Sequence, residues 1–522
     1  MSIKEKLTQI LLVGIILAVA SCSSPTPTYI FQVPERTDDG WETSTPEEQG
    51  MDSAKLVEMM EFIDEQDLDI DSVVVVRNGH IVLEEYPNQA YGRDDVHPLY
   101  SAKKSVFSAL IGIAIQEGFI ESVDQKVEDF FPERTIANLD SRKQNMTLEH
   151  LLTMTSGLEW DERTYPYGDS RNDWTAARTR DDPALFALDR PMANDPGMEW
   201  VYNTGGSHLL SVIITRTTGQ STIEFAREFL FGPLGISEVV WGDDYQGINN
   251  GANLLLTPRD MAKFGYLYLN NGTWEGTQIL PAEWVARSTE THFVFSESTG
   301  YGYQWWTLPQ KGVYYAAGLY KQRIYVIPDL DMVVVFTANI SNEDPDPEPW
   351  LLHNFIGAAV DWELLAGGRY TKYGLSFDYP GGMHVTAEMP IPGKEMVSDD
   401  SGWVQFDRDY PFEQIGVIWD TAETAPELEA VLDEFLDLLV GLGVEVTDRG
   451  PFVSSMSDDN AIVYQYVSAT TGGLQGTMVM GSWYVDEAAR VCTFYYATRP
   501  WLATQQEVLT EFQRHLDSFV CH

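Results

Sequence analysis

The stretch Tyr100-Ser101-Ala102-Lys103-Lys104-Ser105, followed by the apolar residues 106–115, is the part of the sequence that decides the fold. Ser101 and Lys104 are three positions apart, so a helix places them on one face, about one turn from each other. The run behind them is apolar on every side except at Ser108, which is typical of a helix buried all round. The sequence therefore predicts a hydroxyl and an amine at the tip of a buried helix.

The same two residues predict a nucleophile and its base. A serine hydroxyl is a weak nucleophile at neutral pH and needs an adjacent base to take its proton. A lysine serves as that base only where burial or a neighbouring cation lowers its pKa. The backbone N–H of Ser101, at the N-terminal end of the helix, is directed at any oxyanion that forms there. The alternative is a partly exposed serine beside a solvated lysine, but this is the only S-x-x-K in the chain.

Length and charge limit the class of protein. A chain of 522 residues exceeds one ordinary hydrophobic core, so we expect two domains. The formal net charge of −46 would repel nucleic-acid phosphates and gives no attraction to anionic lipid headgroups. We therefore expect no nucleic-acid partner.

The first residues predict the compartment. Lys4 and Lys6 form a positively charged start, a short apolar segment follows, and Val19-Ala20-Ser21-Cys22 resembles a bacterial lipobox with Cys22 as the lipidated residue. Residues 1–22 are thus predicted to be a lipoprotein signal peptide and residues 23–44 a tether. The protein would then be anchored to a membrane of the bacterial cell envelope, facing the periplasm or the exterior. A plain secretory signal with an incidental cysteine is the alternative.

Two cysteines remain after Cys22. Cys492 and Cys521 are an even number in an oxidising compartment, which favours a disulfide between them. Two buried free thiols are the alternative, and the sequence leaves both open.

Local patterns predict the elements around the Ser101 helix. The signals are helical periodicity, β-branched runs, the turn residues Asn78-Gly79 and the helix start Thr257-Pro258-Arg259-Asp260. They predict helices over 54–66, 123–131 and 257–269, a helix from Thr147, and strands over 72–77, 80–86, 314–318, 323–327 and 332–338. Strands at both ends and helices between them predict an α/β sandwich. Residues 157–184 are expected to be a lid or wall over the Ser101 site, because long loops are uncommon unless functional.

A second informative stretch lies at residues 197–206. A turn at 202–206 precedes an apolar helix over 209–217, and Tyr202 stands at the turn. The phenol of Tyr202 is a candidate second proton carrier beside Ser101, since nearby cations favour its ionised form. An ordinary half-buried tyrosine is the alternative.

Taken together, these stretches resemble the serine β-lactamase and penicillin-recognising hydrolase family. The likeness is to the branch that holds class C β-lactamases, D-aminopeptidases, esterases of that fold and 6-aminohexanoate-dimer hydrolases. It covers residues 45–365 and rests on five motifs in order: 101–104 (SAKK), 146–158 (MTLEHLLTMTSGL), 200–204 (WVYNT), 232–236 (GPLGI) and 256–261 (LTPRDM). The fold implied is a β-lactamase-like α/β sandwich, an antiparallel sheet plus a helical subdomain, in a domain over 45–366.

The resemblance implies roles for particular residues. Ser101 would be the acyl-forming nucleophile, Lys104 its base or proton relay, and Tyr202 the proton shuttle. The oxyanion hole would be the backbone N–H groups of Ser101 and Leu319. The same resemblance implies that Thr204 and Gly318 contact the substrate.

The sequence departs from the family pattern at two positions. Thr204 stands where the tyrosine motif usually ends in Asn, and Ala316 stands where the third motif has Lys or His two residues before Gly318. In members that act on β-lactams this cation helps to hold the substrate carboxylate. Its absence favours esters and amides that lack a carboxylate, unless Lys321 or Arg323 replaces it.

Other chemistries have no support in the sequence. There is no G-x-S-x-G motif, which argues against an α/β-hydrolase. No histidine pair has zinc-ligand spacing with a third ligand nearby, so no metal and no cofactor are expected.

The C-terminal part is predicted to be a separate, smaller α+β domain over residues 367–522. Patterns there predict a strand at 374–380, a helix over 426–442, strands over 461–469, 476–485 and 490–498, and a last helix over 505–519. No catalytic constellation appears in it, and its partner and role stay open.

Three hypotheses for function follow. The leading one is an envelope serine hydrolase that forms an acyl-enzyme on an ester or amide. The alternative is a non-catalytic envelope binding protein that retains the fold. A third is a true β-lactamase or a carboxypeptidase acting on D-amino-acid peptides.

Overall fold

The computed structural model divides the chain into two compact units, Met1–Ile340 and Ser341–His522. It describes residues 29–243, 247–296, 299–342, 344, 346–360, 368–373, 375–379, 384–389, 397–398, 401–408, 413–421, 426–441, 445–450, 452–457, 460–471, 474–485, 490–498, 512 and 520–521. The predicted signal peptide, Cys22 and the predicted domain boundary between residues 366 and 367 lie outside these residues. No helix in the described part of the chain combines the length and apolar character needed to cross a bilayer.

The N-terminal unit is built on a nine-stranded sheet in the order β1-β3-β2-β14-β13-β12-β11-β10-β9. All its pairings are antiparallel except that of β1 with β3. The strands of the unit are β1 (Glu42–Thr43), β2 (Ile70–Arg77), β3 (His80–Glu85), β4 (His97–Pro98), β5 (Val240–Asp243), β6 (Asn249–Leu256), β7 (Thr273–Trp274), β8 (Thr277–Gln278), β9 (Phe293–Val294), β10 (Gly300–Tyr301), β11 (Trp306–Leu308), β12 (Val313–Gly318), β13 (Gln322–Ile327) and β14 (Met332–Ala338).

Local turn chemistry and apolar strands explain this sheet. Asn78 and Gly79 both have positive φ, as a two-residue hairpin turn requires, so Arg77 pairs with His80 and β2 lies against β3. Both β2 and β14 are almost fully buried and pair with each other. The first and last long strands of the unit therefore lie side by side, and the predicted α/β sandwich is confirmed.

Nine α-helices lie in the described part of this unit: α1 (Ser53–Glu65), α2 (Lys104–Gln116), α3 (Leu148–Leu152), α4 (Asp173–Arg178), α5 (Pro183–Asp189), α6 (Thr204–Thr218), α7 (Thr222–Ala226), α8 (Pro258–Leu269) and α9 (Ala282–Thr289). Helix α6 is central to the helical subdomain and packs against α2, α3, α4, α5 and α7. Helix α8 instead packs on the sheet, against β2, β13 and β14. A one-turn 3-10 helix, Tyr100–Lys103, leads directly into α2.

Most predicted elements of this unit appear in the structure. The helix over 257–269 is observed as α8, with Thr257 as its N-cap and Pro258 in its first turn. The segment 123–131 forms only a short 3-10 turn, Val127–Phe130. The expectation of a loop over 157–184 is wrong in part, because side-chain caps begin two short helices there, α4 and α5.

The second unit holds an eight-stranded sheet, in the order β17-β18-β19-β24-β23-β22-β20 with β21 also paired to β22, and a three-stranded sheet among its described residues. Its elements are α10 (Glu348–Leu351), β15 (Gly368–Lys372), β16 (Leu375–Tyr379), β17 (His384–Met389), β18 (Gly402–Arg408), β19 (Glu413–Thr421), α11 (Leu428–Gly441), β20 (Glu445–Arg449), β21 (Val453–Ser457), β22 (Asn460–Thr471), β23 (Leu474–Val485), β24 (Arg490–Thr498) and β25 (Val520–Cys521). Helix α11 packs on β22 and β23. Apart from Phe512, which is helical, the predicted last helix over 505–519 lies outside the described residues.

Cys492 lies on β24, where it is fully buried and disulfide-bonded. Its predicted partner, Cys521, lies on β25, and the Cys521 side chain is outside the description. The pairing of these two cysteines stays a prediction.

The described part of the predicted tether, residues 29–44, is not free of the body of the protein. Arg259, at the start of α8, forms a two-pronged ion pair with Glu84 on β3 at 2.8 and 2.6 Å. Its guanidinium also bonds Asp39 and Thr37, both at 2.9 Å, and the carbonyl of Glu35 at 2.7 Å. Within the predicted tether, residues 35–39 are therefore held to the sheet and to α8 by a buried cation.

Replacing Arg259 by alanine should lower the free energy of unfolding by about 3–5 kcal/mol, because Glu84 would remain buried without its cation. Guanidinium denaturation measures the change. The matched control is Arg36→Ala, which breaks the exposed pair with Glu42 and should change stability by less than about 1 kcal/mol. Equal denaturation midpoints for the two variants would contradict the role given to Arg259.

Candidate active site

Ser101 and Lys104 meet at the tip of α2, as the spacing predicts. Tyr100 has φ +46° and turns the chain sharply after β4, so that Ser101 starts the first helical turn. The amine of Lys104 is buried and donates a hydrogen bond to Ser101 Oγ at 2.9 Å. Proton transfer between the hydroxyl and the amine requires a contact of this length.

Tyr202 lies beside this pair. The amine of Lys104 is 4.8 Å from the centre of the Tyr202 ring. Tyr202 immediately precedes α6, and the side chain of Asn203 fixes that turn by accepting a hydrogen bond from Gly206 N at 2.8 Å. The turn therefore holds a phenol ring against the Lys104 amine, and the structure brings Ser101, Lys104 and Tyr202 together.

Strand β12 lies against the other side of the Ser101 turn. A Cβ atom on Gly318 would stand 2.2 Å from Leu99 O and 3.2 Å from Ala102 N, so only glycine allows this approach. Leu319 comes next, and the rings of Tyr320 and Tyr100 are in edge contact at 5.3 Å. The residue predicted to supply the second oxyanion N–H thus follows the point where β12 touches the Ser101 turn.

A second lysine, Lys103, lies next to Lys104 at the Ser101 turn. Lys103 is fully buried and donates a hydrogen bond to Tyr100 O at 2.6 Å. Burial lowers the pKa of Lys103 well below its ordinary value, and the charge of Lys104 lowers it further, while the Glu162 carboxylate acts in the opposite direction. The Lys103 amine therefore holds the backbone carbonyl of Tyr100, the residue before Ser101.

Glu162 is a buried carboxylate that the sequence analysis did not identify. It accepts hydrogen bonds from Trp160 Nε1 and Thr204 N, both at 2.8 Å, from Tyr167 OH at 2.7 Å, and from the Thr204 hydroxyl. The 157–184 segment is thereby fastened to the first turn of α6, directly after Tyr202. Thr204, predicted to contact the substrate, uses both its hydroxyl and its backbone N–H on Glu162.

Aromatic rings form a wall next to Tyr202. The ring of Trp200 lies 6.0 Å from Tyr202, 4.8 Å from Phe295, 5.4 Å from Tyr301 and 5.7 Å from Trp306. Full burial raises the pKa of Tyr301 well above its usual range. The wall joins the Tyr202 turn to strands β10 and β11 and presents apolar surface beside the Ser101 site.

Lys321 and Arg323 are the candidate replacements for the cation that the third motif lacks, and both are buried. Ala316, which stands at the position of that cation on β12, is also buried. Arg323 donates hydrogen bonds to the carbonyls of Gly318 and Gln322, each at 3.0 Å. The guanidinium of Arg323 therefore holds the end of β12 in place. Among the residues that the structure describes, no group of three His, Cys, Asp or Glu side chains is arranged to hold a metal ion.

The fold consists of a large sheet and a helical subdomain, and the site brings Ser101, Lys104 and Tyr202 together. These two features define one class of protein. The β-lactamase family model matches residues 54–357, more than half of the chain. The chain belongs to the β-lactamase family, a family of β-lactamase-fold hydrolases and related proteins.

Individual relatives agree with this assignment. The chain is 26% identical over 304 residues to a 6-aminohexanoate-dimer hydrolase of Paenarthrobacter ureafaciens, a match that covers 54% of this chain and 74% of the relative. It is 24% identical to penicillin-binding protein 4 of Amycolatopsis lactamdurans, over 49% of this chain and 76% of that protein. The octameric penicillin-binding protein homologue of Pyrococcus abyssi has a similar fold, with TM-score 0.51, 16% identity, and coverage of 85% of this chain and 99% of that one.

The free energy of unfolding should depend on pH through His97, which lies on β4, the strand before Ser101. His97 is buried, and burial lowers its pKa to about 4, while the charge of Asp95 acts in the opposite direction. Between about pH 6.5 and 4 the unfolded chain takes up a proton at His97 that the folded chain does not, so stability is lost as the pH falls through this window. The loss at His97 should approach ~3 kcal/mol at pH 4.

The measurement is the free energy of unfolding at several pH values for the native protein and for His97→Gln. The variant should lose less stability than the native protein between pH 6.5 and 4. His80→Gln, at a half-buried position at the start of β3, is the control and should follow the native curve. Parallel curves for the native protein and His97→Gln would refute the assignment.

Proposed function

We propose that the protein is a serine hydrolase that acts on an ester or amide through an acyl-enzyme. The observation that carries the proposal is the 2.9 Å hydrogen bond between Lys104 Nζ and Ser101 Oγ, with the Tyr202 ring 4.8 Å from the same amine. Family membership supports hydrolysis, and so does a relative named as a 6-aminohexanoate-dimer hydrolase.

The first half of the reaction forms the acyl-enzyme. Lys104, as the free amine, takes the proton of Ser101 while Oγ attacks the substrate carbonyl carbon. The negative charge that develops on the carbonyl oxygen is held by the backbone N–H groups of Ser101 and Leu319. Tyr202 passes a proton to the leaving alcohol or amine, the bond to the leaving group breaks, and the acyl group stays on Ser101.

The second half returns the enzyme to its starting state. Water attacks the acyl carbon, and its proton passes to the Tyr202 and Lys104 pair. The same two N–H groups hold the second oxyanion. When the ester bond to Ser101 breaks, Oγ regains a proton and the carboxylic acid leaves.

We also propose that the protein acts in the bacterial cell envelope, anchored through a lipid on Cys22. The N-terminal sequence supports this location. The disulfide bond of Cys492 is consistent with it, because such bonds persist mainly in oxidising compartments.

Ser101→Ala should abolish covalent labelling by a fluorophosphonate and hydrolysis of p-nitrophenyl esters, because the attacking oxygen is gone. Gel fluorescence and absorbance measure the two effects. Ser108→Ala is the matched control, since it removes a buried hydroxyl from the same helix, and it should label normally. A native protein that neither labels nor hydrolyses any ester, amide or β-lactam tested would favour the non-catalytic binding protein instead.

Gly318→Ala should reduce kcat by roughly 100-fold or more, because the new methyl group would push β12 away from the Ser101 turn and displace one oxyanion donor. Steady-state kinetics with a p-nitrophenyl ester give the value. Gly92→Ala is the control, since its Cβ meets only Asp95 Oδ2 at 3.7 Å, an ordinary contact. Full activity in Gly318→Ala would remove Leu319 from the proposed oxyanion hole.

A further inference from the structure

An exposed cation stands beside the Tyr202 ring. The guanidinium carbon of Arg163 is 5.1 Å from the centre of the Trp200 ring and 5.5 Å from that of Tyr202. Lys104, which bonds Ser101, lies 4.8 Å from the same Tyr202 ring. A single aromatic side chain therefore contacts both the proposed catalytic base and the Arg163 guanidinium.

The Arg163 guanidinium has no carboxylate partner in the described part of the chain. Its neighbour Glu162 is turned inward and receives four hydrogen bonds from other groups. Asp161 Oδ1 accepts the backbone N–H groups of Arg163 and Thr164 instead. Because the chain has 79 acidic and only 33 basic residues, an exposed arginine beside Tyr202 without an acidic partner among the described residues calls for an explanation.

Two other arginines near Arg163 are paired with carboxylates. Arg171, eight residues further on, bonds Asp169 at 2.6 Å while stacking on the Tyr165 ring. Arg190 bonds Asp173 at 3.3 Å. Stacking on an aromatic ring is thus compatible with an ion pair here, and the ion-pairing capacity of Arg163 is the part left unused.

Stacking prepares this side chain for an anion. A guanidinium that lies on aromatic rings keeps its N–H donors directed outward from its edge, in a planar fork that matches a carboxylate. Two parallel charge-assisted hydrogen bonds to one carboxylate give both orientation and affinity. Since the rings hold the guanidinium in place, less side-chain freedom is lost on binding.

We propose that Arg163 binds a carboxylate of the substrate, so that the substrate class is a carboxylate-bearing ester or amide. This inference rests on the proposed reaction at Ser101 and names the substrate for it. It replaces the expectation, drawn from Ala316, that substrates without a carboxylate are preferred. The cation that binds the carboxylate is then Arg163 of the 157–184 segment, and not a residue at the Ala316 position of β12.

Binding to the Ser101→Ala protein tests the proposal apart from catalysis. The probes are matched pairs: the monomethyl ester of succinic, adipic or suberic acid, which carries one carboxylate, and the neutral dimethyl ester of the same acid. Calorimetry gives Kd for each. We expect the charged member to bind more tightly in at least one pair. Arg163→Gln should weaken its binding by about 10- to 100-fold and change that of the neutral ester by less than 3-fold.

Two further variants sharpen the test. Arg163→Lys keeps the positive charge but lacks the planar guanidinium, so it should retain part of the preference for the charged ester over the neutral one. Arg171→Gln is the control from the same segment and should leave both affinities unchanged.

The proposal is overturned if no pair shows a preference for the charged ester, or if Arg163→Gln weakens both members equally, as expected for a residue that only stacks. Failure of the catalytic proposal appears elsewhere, as a native protein that binds the charged ester but neither labels with a fluorophosphonate nor turns over the p-nitrophenyl monoester of the same acid.

Discussion

The burial of lysine at the start of α2 is the constraint on which the site depends. The apolar helix α2 is buried, and Lys103 and Lys104 at its start are buried with it. Because buried amines are costly without hydrogen bonds, both lysines need polar partners. Ser101 and Tyr100 accept hydrogen bonds from these amines. For Lys103 this burial lowers the pKa well below its ordinary value. The same burial that stabilises the fold therefore also fixes the Lys104 amine at Ser101 Oγ.

Gln304 shows how the surroundings hold this helix. Its backbone carbonyl accepts the Ser105 hydroxyl of α2, its amide nitrogen donates to Leu151 and Leu152 of α3, and its amide oxygen accepts the Ser207 hydroxyl of α6. Gln304, one buried residue between β10 and β11, thus connects through its backbone and side chain the three helices that carry or flank Ser101, Lys104 and Tyr202. Such satisfied polar networks fix one arrangement of a core.

Much of the fold could be predicted from the sequence because its signals are local. The cap at Thr257, the Asn78-Gly79 turn and the apolar strands β12 to β14 each report on residues close together in the chain. Sheet order is different, since β2 pairs with β14 across more than two hundred residues and no local pattern encodes that pairing. In the site, Ser101 and Lys104 were visible from their spacing, whereas Tyr202 needed the family likeness. Glu162 and Arg163 stayed hidden because the fold of the 157–184 segment brings them to Tyr202.

Charge is distributed unevenly between the protein as a whole and this site. The chain carries 79 acidic and 33 basic residues, yet Lys103, Lys104 and Arg163 gather around one tyrosine ring and one buried carboxylate, Glu162. Glu162 sits among four hydrogen-bond donors, so its charge is largely taken up by the segment that it fastens. An anion is thus repelled by the net charge at a distance and attracted only at short range. Affinity in such a site comes from contact geometry and not from long-range steering.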